Sequence, residues 1–194
     1  METIFDGESL NPEGIAFNHE TNHLYISDWL HKYLLIFDSS LKKKVRCEEI
    51  NESPGALCFK KDKLFVCCER RRKIQIYNSK LKLQDSVQIE VKPEIIKASE
   101  SIICIKSDSV LYFYHFKDFS FYRHFSANYI YGLCEINNKM YLQKYSSCLI
   151  FDSNGDLTDE VKLNRDVAEM LIAKVNGGLL VFDSNKHLIK LSQE

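Results

Sequence analysis

The chain has 194 residues, 45% hydrophobic and 27% charged, a balance that suits a soluble globular protein with one substantial core and excludes extended disorder. Its 26 basic and 27 acidic side chains leave a formal charge of -1, which excludes a general polyanion binder and confines any basic function to a local patch. No run approaches 18 apolar residues, and Met1 to Asp6 lacks a basic segment followed by an apolar one, so the expectation is a cytoplasmic protein without a membrane or secretory address.

In chain order, residues 2–5 read as a strand that belongs to none of the units after it. Short apolar and aromatic runs bounded by turn residues then predict strands at 14–17, 23–27, 33–37 and 43–47. The layout returns at 55–59, 63–67, 73–77 and 84–89, then at 94–98, 101–105, 109–114 and 119–124, and again at 132–136, 139–143, 148–151 and 158–163. A fifth unit supplies 170–174, 178–182 and 187–191. No long helix is predicted; the best candidate, 166–175, is short and falls where an innermost strand is due.

Two series keep the same period. Third-strand positions fall at Phe37, Tyr77, Tyr114, Phe151 and Leu191, and second-strand positions at Tyr25, Phe65, Ile103, Tyr141 and Leu180. A return about every 38 residues is the mark of a repeat architecture. Four short strands per unit predict one all-β domain, a β-propeller of five four-stranded blades at about 7–49, 50–91, 92–125, 126–164 and 165–194. Residues 1–6 are expected to complete the last blade, closing the ring and leaving no open edge. The alternative is a fragment of a six-bladed propeller.

The units resemble the NHL repeat. Pro12-Glu13-Gly14-Ile15-Ala16-Phe17, Leu24-Tyr25-Ile26-Ser27-Asp28 and Leu35-Ile36-Phe37-Asp38 carry the likeness in the first unit. Pro54-Gly55-Ala56-Leu57 with Lys73-Ile74-Gln75-Ile76-Tyr77-Asn78 carries it in the second, and Tyr131-Gly132-Leu133 with Leu149-Ile150-Phe151-Asp152 in the fourth. The third and fifth keep only the hydrophobic rhythm. Independently of any family, glycines at 14, 55 and 132 would let backbones crowd where innermost strands begin, and the alternating aromatic and aliphatic residues would fill the space between blades.

In such a fold the loops from second to third strands lie on one face, with the loops between blades. Those second-to-third loops contain Trp29, His31, Lys32, Arg70, Arg71, Arg72, Lys144, Tyr145 and Lys186, while Tyr129 and Tyr131 sit in a loop between blades. Cations beside aromatic rings can anchor an acidic peptide or hold phosphates and stack bases. The competing reading of Arg70-Arg71-Arg72 is a solvated loop. Glu13, Glu94 and Glu169 fall where innermost strands begin and offer oxygen ligands for a divalent cation. Pro12-Glu13-Gly14 looks like the acidic motif of calcium-dependent lactonase propellers, but Ser53 and Tyr131 stand where those enzymes add further ligands. The six histidines do not match the metal site of the amidating lyases, and no Gly-x-Ser-x-Gly elbow, phosphate loop or dinucleotide fingerprint is present.

Seven cysteines, an odd number without a CxxC pair, mostly lie in apolar strand runs and fit a reducing compartment. The reading that results is a non-catalytic, monomeric platform without cofactor or metal, binding a protein or peptide through its loop face. The resemblance to propellers of tripartite-motif proteins implies single-stranded RNA as an alternative ligand, and the lactonase likeness implies a calcium-dependent hydrolase as another. The RING, B-box and coiled coil of the tripartite-motif proteins are missing from these residues, so ubiquitin-ligase activity is not implied.

Overall fold

The computed structural model describes residues 11–38, 44–144, 147–162, 173–175, 178–182 and 188–191. The first repeat forms β1 (Pro12–Asn18), β2 (His23–Asp28), β3 (Tyr33–Asp38) and β4 (Lys44–Glu49). These pair as an antiparallel meander. The second repeat forms β5 (Leu57–Lys60), β6 (Lys63–Cys68), β7 (Lys73–Asn78) and β8 (Leu83–Gln88), with a 3-10 turn over Glu69–Arg71 between β6 and β7. The third gives β9 (Ile95–Ala98), β10 (Ile102–Ser107), β11 (Val110–His115) and β12 (Phe121–Ser126). The fourth gives β13 (Gly132–Ile136), β14 (Lys139–Gln143), β15 (Ser147–Phe151) and β16 (Leu157–Lys162).

The last repeat departs from expectation. It forms β17 (Ala173–Val175), β18 (Gly178–Phe182) and β19 (Leu188–Leu191), a three-stranded sheet, so the structure has four four-stranded blades rather than five. The fifth repeat holds only three strand-forming runs, and no described strand lies on the outer side of β19. Residues 2–5, expected to fill that place, lie outside the described residues. Of the helix candidate 166–175, the described part is the strand β17.

The hairpin from third to fourth strand shows why the repeats fold alike. Each of the four complete blades has one register shift there, at Ile36/Phe37, Ile76/Tyr77, Phe113/Tyr114 and Ile150/Phe151. Such a bulge leaves one outer-strand residue without a partner and strengthens the local twist. The turn before it is closed by the same polar device in two blades. Asn78 Oδ1 accepts from the N–H groups of Lys80 and Lys82, and Asp152 Oδ1 accepts from those of Asn154 and Asp156. A short polar side chain that bonds its own turn is the reason Asn and Asp mark these positions.

Two compact units divide the chain, Met1–Ile96 and Lys97–Glu194. In the first, one core joins two blades: Ala16, Tyr25, Leu34, Ile36 and Ile50 pack with Leu57, Leu64, Val66, Tyr77 and Leu81, and Phe59 stacks on Tyr25 at 5.7 Å. In the second unit Phe113 and Phe125 both meet Phe151, at 5.4 and 5.3 Å. The second-strand residues Tyr25, Phe65, Ile103 and Tyr141 are all buried, as their period requires. Among the described residues, the cysteines at 58, 67, 68, 104, 134 and 148 are buried as well. Burial pushes the thiols of Cys104 and Cys134 up, so these side chains are neutral and pack as small hydrophobes. No helix among the described residues is long and apolar enough to cross a membrane.

Candidate functional site

The loop after β2 is shaped by one buried carboxylate. Asp28 Oδ1 accepts from the N–H groups of Leu30 and His31 at 3.1 and 3.0 Å, and its Oδ2 accepts from His31 Nδ1 at 2.8 Å. Burial alone would raise the Asp28 pKa; the His31 N–H, the His31 ring and the Asn11 backbone outweigh it and hold the carboxyl below its ordinary value. The tightened loop leaves Leu30 in solvent, and the backbone N–H of Trp29 donates to the carbonyl of Asn11 at 3.0 Å.

The equivalent loop of the second blade ends in the same way. Lys32 and Arg72, each just before a third strand, have φ of 59° and 52°. Their carbonyls accept from Ile50 and Ile89, the residues at which the chain leaves each outer strand, at 2.9 and 2.8 Å. This bond ties the linker between blades to the loop beside it, and the site is built where they meet. Gly55 is drawn in by its own N–H, which donates to Cys67 at 2.7 Å, while Ser27 Oγ donates to the Gly55 carbonyl at 2.7 Å.

On this frame the Arg70 guanidinium lies over the Trp29 ring, 4.4 Å from its centroid. Beside the pair is a cleft of about 400 Å³ lined by Lys32, Asn51, Glu52, Ser53, Cys68, Arg70 and Arg71. Glu52 is held on two sides, by Arg71 Nε at 3.4 Å and by Lys73 Nζ at 3.2 Å. Glu69 pairs with Lys92 at 2.8 Å. At the floor the Cys68 thiol is pushed up to about 12, by burial first and by Glu52 second, so it brings no negative charge. Among the described residues no carboxylate pairs with Arg70 or Lys32.

Of the residues singled out from sequence, Trp29, His31, Lys32, Arg70 and Arg71 come together at this end of the first two blades. Arg72 adjoins them but does not line the cleft: its Nη1 donates to the Glu90 carbonyl at 3.4 Å, and Gln88 Nε2 donates to its carbonyl. Tyr129, exposed with φ of 58°, Tyr131 and Lys144 belong to the second unit. Tyr145 and Lys186 lie outside the described residues. Glu13 is exposed on β1, Glu94 is half-buried ahead of β9, and Glu169 is not among the described residues. No group of three His, Cys, Asp or Glu side chains suited to a metal occurs among the described residues. Sequence reasoning missed Asn51 and Glu52, and weighed Ser53 only as a mismatch to a metal ligand. The signal was topological, since a linker between blades must emerge at the same end as the second-to-third loops.

No protein-family model matches the chain, and no curated protein matches it. Solved structures do. KlHsv2 with loop 6CD replaced by a Gly-Ser linker, from Kluyveromyces lactis, superposes with a TM-score of 0.71 at 12% identity, over 92% of this chain and 61% of that one. BBS1N in complex with ARL6DN gives 0.72 at 11% identity, over 97% and 64%. The glutaminyl cyclase of Myxococcus xanthus gives 0.63 at 11%, over 93% and 89%. At these identities the likeness shows the fold alone, and that fold is a β-propeller. The chain spans 61% and 64% of the lengths of the first two structures. One structure is a protein complex and another an enzyme, so function has to be argued from the site.

Proposed function

We propose that this chain is a non-catalytic, NHL-like propeller that binds a protein or peptide through the loop end of its first two blades. The observation that carries the reading is the Arg70 guanidinium over Trp29, beside a cleft ringed by Lys32, Arg70 and Arg71. Tryptophan and arginine dominate binding energetics at protein interfaces, because each offers a large, rigid contact and a directed polar edge. Leu30, 56% exposed at the tip of the adjacent loop, adds an apolar contact that suits a side chain better than a nucleotide backbone. Glu52 and Glu69 hold neighbouring cations in ion pairs, which interrupts the basic track that an extended polyanion such as RNA needs. The buried cysteines support a reducing, cytoplasmic setting.

A quantitative pull-down tests the reading with the wild type, a variant with Arg70, Arg71 and Arg72 all changed to glutamate, and Trp29→Ala. The triple variant is expected to lose its protein partners, and Trp29→Ala to hold them about tenfold more weakly, with both melting as cooperatively as the wild type. Full retention of every partner by the triple variant overturns the proposal.

A further inference from the structure

We infer that the cleft between the first two blades receives the phosphate group of a phosphorylated serine or threonine on the bound peptide. The inference rests on the platform reading and names what the platform recognises.

Charge is the first argument. The lining holds three cations, Lys32, Arg70 and Arg71, against one carboxylate, Glu52, which Arg71 and Lys73 already neutralise from two sides. The neutral Cys68 thiol leaves that surplus uncancelled. A phosphate monoester carries roughly -1.5 to -2 at neutral pH and so matches it, where a single carboxylate would leave a cation unpaired in the cleft.

Donor geometry is the second. Arg70 is held over Trp29, which fixes the guanidinium and spends its face on the ring while its N–H fork remains for an oxyanion. Asn51 and Ser53 add an amide and a hydroxyl in the same lining. Several donors converging from two blades suit an acceptor with three oxygens. Size agrees, since about 400 Å³ admits a phosphate with the side chain that bears it.

Extent is the third argument and decides between sources of phosphate. Outside the cleft Glu69 cancels Lys92 in an ion pair, and the exposed Leu30 follows Trp29 in the loop after β2. A nucleic-acid strand or an anionic lipid surface needs a continuous basic track past the cleft, whereas an isolated phosphate on a peptide needs only the cleft.

The test uses the full chain and two degenerate, fluorescein-labelled peptide libraries, identical except for a fixed central phosphoserine or serine, with oligouridylate and phosphoinositide-containing vesicles as parallel probes. Fluorescence anisotropy is expected to show the phosphoserine library binding at least about tenfold more tightly than the serine library. Inorganic phosphate should compete, and Arg70→Gln should reduce the phosphoserine library to the serine level. Arg70→Lys keeps the charge without the fork and should fall between, which separates a lost ligand from a lost fold when all variants give the same circular dichroism spectrum. Equal binding of the two libraries, weakened alike by Arg70→Gln, overturns the phosphate inference and leaves the peptide platform standing. Binding of oligouridylate or vesicles with neither library overturns both readings.

Discussion

At Gly14 one added carbon would strike the neighbouring blade. A Cβ built there falls onto the Gly55 carbonyl oxygen and within 2.8 Å of the Leu57 nitrogen, and both are backbone atoms that cannot step aside. Gly14→Ala is therefore expected to cost about 2 kcal/mol or more in urea denaturation, within the range for overpacked sites. Gly55→Ala meets its nearest neighbour, the Cys67 carbonyl, only at 3.4 Å and should stay within about 1 kcal/mol of the wild type. Equal losses at the two positions would refute this account of the blade contact. Asp28 supplies a pH test. Its folded-state pKa lies below the ordinary 3.8, so the stability it contributes is complete above that value and is lost as the pH falls through the lower, folded one. Asp28→Asn should therefore melt below the wild type at neutral pH, and the gap should close as the pH drops through that window. A gap that stays constant from neutral to strongly acidic pH would show that the carboxylate does not hold the loop.

The hairpin from third to fourth strand is the element in which one geometry is met by different residues. Leu81 and Gly155 hold equivalent places in the turns after β7 and β15, with φ of 57° and 77°, and each N–H donates back to the residue that opens the turn. Leu81 is buried in the core between the first two blades, whereas any Cβ at Gly155 would lie 3.0 Å from Phe113 and 3.1 Å from Ile102. Gly155→Leu, which installs the second blade's own residue, should destabilise by about 2 to 3 kcal/mol because the space is already filled; a melting temperature close to wild type would contradict this. Elements of this kind were legible in the sequence. Aromatic and aliphatic residues recurring at 25, 65, 103 and 141 fixed the second strands, and all four are buried as the period implies. The three strands of the last repeat were legible too, but that they form a three-stranded sheet rather than a full blade was not, because strand propensity does not say which segment covers an edge. Trp29 and Arg70 were each visible as loop residues, but their contact depends on the buried Asp28 turn and the 3-10 turn over Glu69–Arg71, which leave no periodic trace. Asn51, Glu52 and Ser53 were missed as cleft residues for a related reason. They lie in a linker whose role is set by the hydrogen bond from Ile50 to Lys32 rather than by a pattern of side chains.

On the scale of the whole molecule, a repeat fold with little sequence identity to its structural neighbours places function in loops that vary freely over a constant scaffold. The cleft and its aromatic and cationic border lie within the first compact unit, which unites the claims made for it in one place. Site-specific photo-crosslinking tests that placement most directly. Leu30 beside the cleft and Leu83 on the outer strand β8 are 56% and 51% exposed, so a benzoylphenylalanine at either position is equally available to a partner. A discrete protein adduct is predicted from position 30, absent from position 83 and abolished when Arg70 and Arg71 are both changed to glutamate. An adduct of equal yield from position 83, or one at position 30 that survives the double substitution, would contradict the assignment of binding to this end of the first two blades.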